Sequence, residues 1–168
     1  MGEEPPSKNF ESGLELFLDL GCAECHNGIT LSDMDFHKSG APMGPIGRAF
    51  HGVCDIGREE VTGKEEDRMN FRTPTLRELK YTGPYTHAGR LETLEEVIKL
   101  FVSDKNYIRD ECLEYFNESP KWERSHKKDL TDKEIADLVE FLESISSPRP
   151  LEELFPPPKK VPSGLPVD

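Results

Sequence analysis

The sequence predicts a mostly α-helical domain with long ordered loops and a proline-rich C-terminal extension, on three observations. Two capping boxes, Thr93-Leu94-Glu95-Glu96 and Thr131-Asp132-Lys133-Glu134, each open a segment whose apolar residues recur at helical spacing. No segment alternates apolar and polar residues for long enough to make a convincing sheet. The 13 glycines and 14 prolines among 168 residues demand many turns. The length corresponds to one domain with at most a small appendage.

Residues 1–8 are polar and proline-rich and read as a loose N-terminal arm, ahead of a domain over 9–147. From Asn9 to Leu20, the spacing of Phe10, Leu14, Phe17 and Leu18 predicts a helix that stops at Gly21. Cys22-Ala23-Glu24-Cys25-His26 follows at once. Residues 27 to 74 show little sustained period, and so long a stretch needs something other than secondary structure to organise it. Thr73-Pro74-Thr75-Leu76-Arg77 predicts a short helix with proline near its start.

After the first capping box, Leu94, Val97, Ile98 and Phe101 share a face. The charged stretch Asp104 to Lys128 offers Tyr107, Ile108, Leu113, Tyr115 and Phe116 for burial. After the second box, Ile135, Leu138, Val139, Leu142 and Ile145 make an amphipathic helix. Residues 148–168 carry seven prolines from Pro148 to Pro166 and read as an extended tail.

Charge narrows the function classes. A formal net charge of −12 repels phosphate backbones and anionic lipid, which argues against nucleic-acid partners and membrane-surface binding. No run of eighteen apolar residues exists, so no membrane insertion is expected. The start, Met1-Gly2-Glu3-Glu4-Pro5-Pro6, reads as a mature or recombinant N-terminus rather than a signal peptide. Hydrophobic residues are only 35% of the chain, a thin core that a staple, a metal or a cofactor would help.

Cys22, Cys25 and His26 form Cys-x-x-Cys-His, the attachment signature of c-type haem. Two thiols at this spacing add across the two vinyl groups of one haem, and the adjacent imidazole then lies beneath the iron as its proximal ligand. A closed zinc site needs about four ligands, and no second Cys-x-x-Cys or His pair is present. A thioredoxin-like pair needs a βαβ pattern, which is missing too. One covalent haem c is therefore the expected cofactor, in a periplasmic or otherwise exported protein. In that oxidising setting Cys54 and Cys112 can bridge, worth about 4 kcal/mol, or stand as separate buried thiols.

Further blocks carry a resemblance. Gly21 to Gly28, Phe36-His37-Lys38-Ser39-Gly40, Asp55-Ile56-Gly57-Arg58, Val61-Thr62-Gly63, Phe71 to Arg77, Thr82-Gly83-Pro84-Tyr85-Thr86-His87-Ala88-Gly89 and Thr93 to Val97 occur in order. Together they resemble the C-terminal haem domain of the bacterial dihaem cytochrome c peroxidase family, which includes the enzyme that matures tryptophan tryptophylquinone. The resemblance covers about residues 8 to 147. It implies a c-type cytochrome fold, electron transfer or peroxide chemistry, and a redox partner protein or second haem subunit. The resemblance also places His87 beside the haem edge and assigns the Thr82 and Pro84 carbonyls to a calcium ion. Taken alone, His87 reads as a hydrogen-bonded loop histidine and Thr82 to Pro84 as a turn.

Two departures stand out. Family members carry two haems, whereas this chain has one attachment motif. The family's distal Met or Tyr aligns with Phe101, which cannot ligate iron. Either the distal side is open beside Phe101, or one of Met43, His51, His87 and Tyr107 reaches the iron. Arg58, Arg72 and Arg77 suit the haem propionates because guanidinium matches carboxylate, while His37 and His51 bond a propionate or face water. His126 reads as solvated surface and Trp122 as packing rather than an electron relay. The acidic excess either steers a basic partner or keeps an exported protein soluble, and the second reading is preferred. The function expected is that of a monohaem c-type cytochrome passing electrons; its rivals are a peroxidase and a haem module that binds a gas or another protein.

Overall fold

A computed structural model describes residues 7–38, 55–102 and 129–148. The expectations for the arm before Ser7, for Met43, His51, Cys54, Tyr107, Cys112, Trp122 and His126, and for the tail beyond Pro148 lie outside the described residues.

Three helices build the core. Helix α1, Lys8–Asp19, starts at Ser7, whose Oγ accepts the Phe10 amide at 3.0 Å. One turn of helix, α2, spans Glu59–Thr62 and ends at Gly63 in the left-handed region. In α3, Leu94–Val102, Thr93 caps the first turn: its Oγ1 accepts the Glu96 amide at 3.2 Å, and its own amide donates to the Glu96 carboxylate at 3.1 Å. Helix α4, Asp132–Ser144, opens on the reciprocal bonds of Thr131 and Glu134. Both predicted capping boxes are thus present.

Leu16, Phe17 and Leu20 of the α1 region pack with Leu94, Ile98 and Val102 of α3 and with Ile135, Leu138, Phe141 and Leu142 of α4. Phe141 sits between Phe10 and Phe17, with ring centroids 5.5 and 5.2 Å apart. The close approach of α1 to α4 depends on Gly13. A Cβ there would lie 2.2 Å from the Asp137 carbonyl oxygen and 2.8 Å from the Phe141 Cβ. The predicted face of α1 needs one correction: Leu18 is 56% exposed, and Leu16 and Leu20 take its place in the core. The α4 crossing selects that stripe, one residue round from the reading by spacing.

The rest of the described chain is loop, braced by a small antiparallel ladder of β1, Phe36–Lys38, and β2, Asn70–Arg72, with His37 opposite Phe71. Three-residue strands are too short to display a period and leave no sign in the residue pattern. The predicted helix at Thr73–Arg77 is absent. That segment is irregular up to a turn at Arg77 and Glu78, and a 3-10 turn follows at Leu79–Tyr81. Its side chains reach sideways instead: Thr75 Oγ1 donates to the Thr30 carbonyl at 2.5 Å and Arg77 to the Ile29 carbonyl. A clamp ties this half to the end of α4, where the Glu78 carboxylate accepts the Ser147 amide and hydroxyl at 3.0–3.1 Å. Tyr81 donates to the Ser147 carbonyl at 3.0 Å.

Candidate functional site

The candidate site starts where α1 stops. Gly21, at φ 70°, turns the chain in a conformation that costs glycine no Cβ clash, and Cys22–Glu24 then forms one 3-10 turn. The His26 amide donates to the Cys22 carbonyl at 2.9 Å, so Cys22, Cys25 and His26 share a single half-buried turn. Cys22 and Ala23 rest on the edge of the helical core.

The decisive contact is on the imidazole. His26 Nδ1 lies 3.1 Å from the Leu31 carbonyl oxygen. A carbonyl can only accept, so Nδ1 carries the proton and the lone pair of the neutral ring sits on Nε2. A metal-ligating histidine is characteristically held in this way, by a bond from its other nitrogen. Two cysteines and an oriented imidazole on one turn are the donor set that a covalent haem requires, and the residues present fit it.

Around this turn the chain is heavily hydrogen-bonded. The Asp33 amide donates to the Cys25 carbonyl at 2.8 Å, and the Asp33 carboxylate faces His37 Nε2 at 2.8 Å. The Asp35 amide, with His37 second, holds the Asp33 carboxyl down at about 2. Ligand atoms of Cys25, Asp33 and His37 lie within 4.8 Å of one another. These are three groups rather than the four of a closed zinc site, and two of them already pair with each other.

Apart from Phe101, the other described candidates lie on the loop half. Arg58 covers the Phe36 ring at 4.5 Å and faces Asp67 at 3.4 Å. Arg72 Nε donates to the Met34 carbonyl at 3.2 Å. Arg77 Nε and Nη2 both donate to the Ile29 carbonyl, at 3.0 and 2.9 Å. Each guanidinium thus has a partner within the chain. His87 Nε2 pairs with Asp55 Oδ2 at 2.8 Å, and its ring lies tilted by 45° against Phe71 with centroids 4.4 Å apart. Phe101 is half-buried on α3, while Thr82 and Pro84 are exposed. Reading by residue type passed over Leu31, whose part is played by its main-chain carbonyl. It also passed over Met69, wholly buried at the loop centre.

Comparison with known proteins decides the family. No family model matches the chain. The cytochrome-c peroxidase IdrP1 of Denitromonas iodatirespirans is 33% identical over 86% of this chain and 42% of its own length. The cytochrome c peroxidase Ccp of Escherichia coli K12 is 32% identical over 81% of this chain and 25% of its own. The methylamine utilization protein MauG of Methylophilus methylotrophus is 29% identical over 85% and 38%. A solved MauG-like protein associated with microbial copper homeostasis superposes with a TM-score of 0.65 at 27% identity, over 87% of this chain and 49% of that one.

The chain belongs to the bacterial cytochrome c peroxidase and MauG family. It spans less than half the length of these relatives. The family implies a covalent c-type haem, and the turn from Cys22 to His26 is where this member's residues fit one. Among the described residues, no helix is long and apolar enough to cross a membrane.

Proposed function

We propose that this chain is a periplasmic monohaem c-type cytochrome unit that transfers electrons within a peroxidase-type system. The observation that carries it is the bond from His26 Nδ1 to the Leu31 carbonyl, directly behind the paired cysteines. The Cys22 and Cys25 thiols would form two thioethers with one haem, and His26 Nε2 would take the iron from the proximal side. Bound haem supplies a one-electron iron couple. The chain's part would be to fix the imidazole through the Leu31 carbonyl and to anchor the group by Cys22, which rests on the helical core, for exchange with a redox partner or a second haem-bearing subunit. Calcium on the carbonyls of Thr82 and Pro84 belongs to the same proposal.

Phe101 favours a second reading. A phenyl ring at the family's distal position offers no atom to iron, which leaves that side open to peroxide or a small gas. One experiment separates the readings: absorption spectra of the ferric and ferrous protein, with a haem stain of the denatured chain. A stained band with a low-spin spectrum supports electron transfer, and a stained band with a high-spin spectrum supports the open site. An unstained band sinks both. In the high-spin case, Phe101→Met is expected to convert the ferric spectrum to low spin, and an unchanged spectrum refutes the distal assignment.

A further inference from the structure

Leu31, whose carbonyl orients His26, stands at φ 51°, in the left-handed region that leucine occupies only when its surroundings hold it there. The Leu31 side chain is half-buried, but the two residues before it are not buried. The preceding Ile29 side chain is 89% exposed, and Thr30 is exposed as well. What fixes the loop is a row of hydrogen bonds to segment 73–77. Arg77 donates twice to the Ile29 carbonyl, Thr75 Oγ1 donates to the Thr30 carbonyl at 2.5 Å, and Ser32 Oγ donates to the Thr73 carbonyl at 2.8 Å. Inside the loop, the Ser32 amide returns to the Asn27 carbonyl at 2.9 Å. The residues on either side of Leu31 are thus pinned from one distant strand of chain, and its carbonyl is held toward the imidazole between them.

We infer that Thr75 and Arg77 are positioning residues for the proximal ligand, acting through the Leu31 carbonyl to set the electron density that His26 gives the iron. The inference rests on the haem reading above. It assigns Arg77 a role other than propionate binding, and the two roles differ in sign. A firm Nδ1–H···O=C bond makes the imidazole a richer donor and favours ferric iron. Loosening the staple therefore favours ferrous iron and raises the midpoint potential. Loss of a guanidinium from a propionate removes a cation near the iron and lowers it.

The test is a spectroelectrochemical titration of the haem-bearing full chain, with thermal unfolding alongside. Thr75→Val removes one staple bond without changing charge, and Arg77→Lys keeps the charge while losing the fork. Both are expected to shift the ferric–ferrous equilibrium toward ferrous, up to about tenfold, which is about 59 mV for one electron. Thr75→Ser keeps the hydroxyl and should keep the wild-type potential. Lower melting temperatures with unmoved potentials, or a downward shift, overturn the inference. Should Thr75→Val fail to load haem, Arg77→Lys decides by the same criteria. A wild-type chain without covalent haem takes down the proposed function and this inference together, whereas a haem-bearing wild type with unmoved variants takes down only this inference.

Discussion

Between α1 and α4 the contact is carbon on carbon, with Phe141 set between Phe10 and Phe17 and a glycine where the backbones meet. Between residues 28–32 and 73–77 it runs through hydroxyls, a guanidinium and main-chain carbonyls. The strained residues divide the same way. Leu31, Met34, Met69, Glu78 and Thr86 all have positive φ, and all lie between residues 21 and 91, outside the long helices. Apolar packing tolerates small shifts because it is non-directional, whereas a hydrogen-bonded loop holds an atom at one distance and angle. The helical half thus supplies stability, and the loop half supplies position.

The largest test of that division is Phe141→Ala. Emptying the slot between two rings is expected to cost about 4 kcal/mol, roughly 12 °C in melting temperature, while the haem spectrum of the folded fraction stays unchanged. A spectrum that moved with it would break the division. Gly13→Ala sharpens the same point by addition. The methyl gains about 1 kcal/mol of helix propensity and loses about 3 to overpacking against Asp137 and Phe141, a net loss of about 2 kcal/mol by thermal unfolding.

The helical half was legible in the sequence because helices advertise themselves locally. Thr131 with Glu134 and Thr93 with Glu96 mark their own starts, and Ile135, Leu138 and Leu142 mark a face. The stripe of α1 was misread at Leu18, since its partner α4 lies more than a hundred residues away and only the crossing decides which side is covered. In the loop half the turn from Cys22 to His26 was legible by residue type and spacing. Its support was not. The Leu31 carbonyl is a main-chain atom that any residue would supply, and Thr75 and Arg77 look like parts of a short helix until their long-range partners are known.

The smallest expected effect is electrostatic and belongs to the loop half. Asp33 is ionised below its ordinary range because the Asp35 amide and His37 favour the charged form. A depressed carboxyl contributes stability above its unfolded value of 3.8 and loses it as pH falls toward about 2. Asp33→Asn should therefore lower the melting temperature slightly at neutral pH, with the gap to wild type closing across that acid window. A gap that persists at pH 2 would show that the carboxylate's charge is not what matters there.

The clamp of Glu78 on Ser147 has a mechanical consequence. Glu78 is itself held in the left-handed region, both its carboxylate oxygens are engaged by Ser147, and the Tyr81 hydroxyl donates to the Ser147 carbonyl. Thr82 and Pro84 lie a few residues beyond Glu78. The end of the last helix and the exposed Thr82–Pro84 turn are therefore joined by a short hydrogen-bonded link that runs alongside the packing of Leu79 and Tyr85 on the core. A load applied where the chain leaves α4 would be shared between that turn and the core, as a pull on a tendon is shared by the joint and the bone.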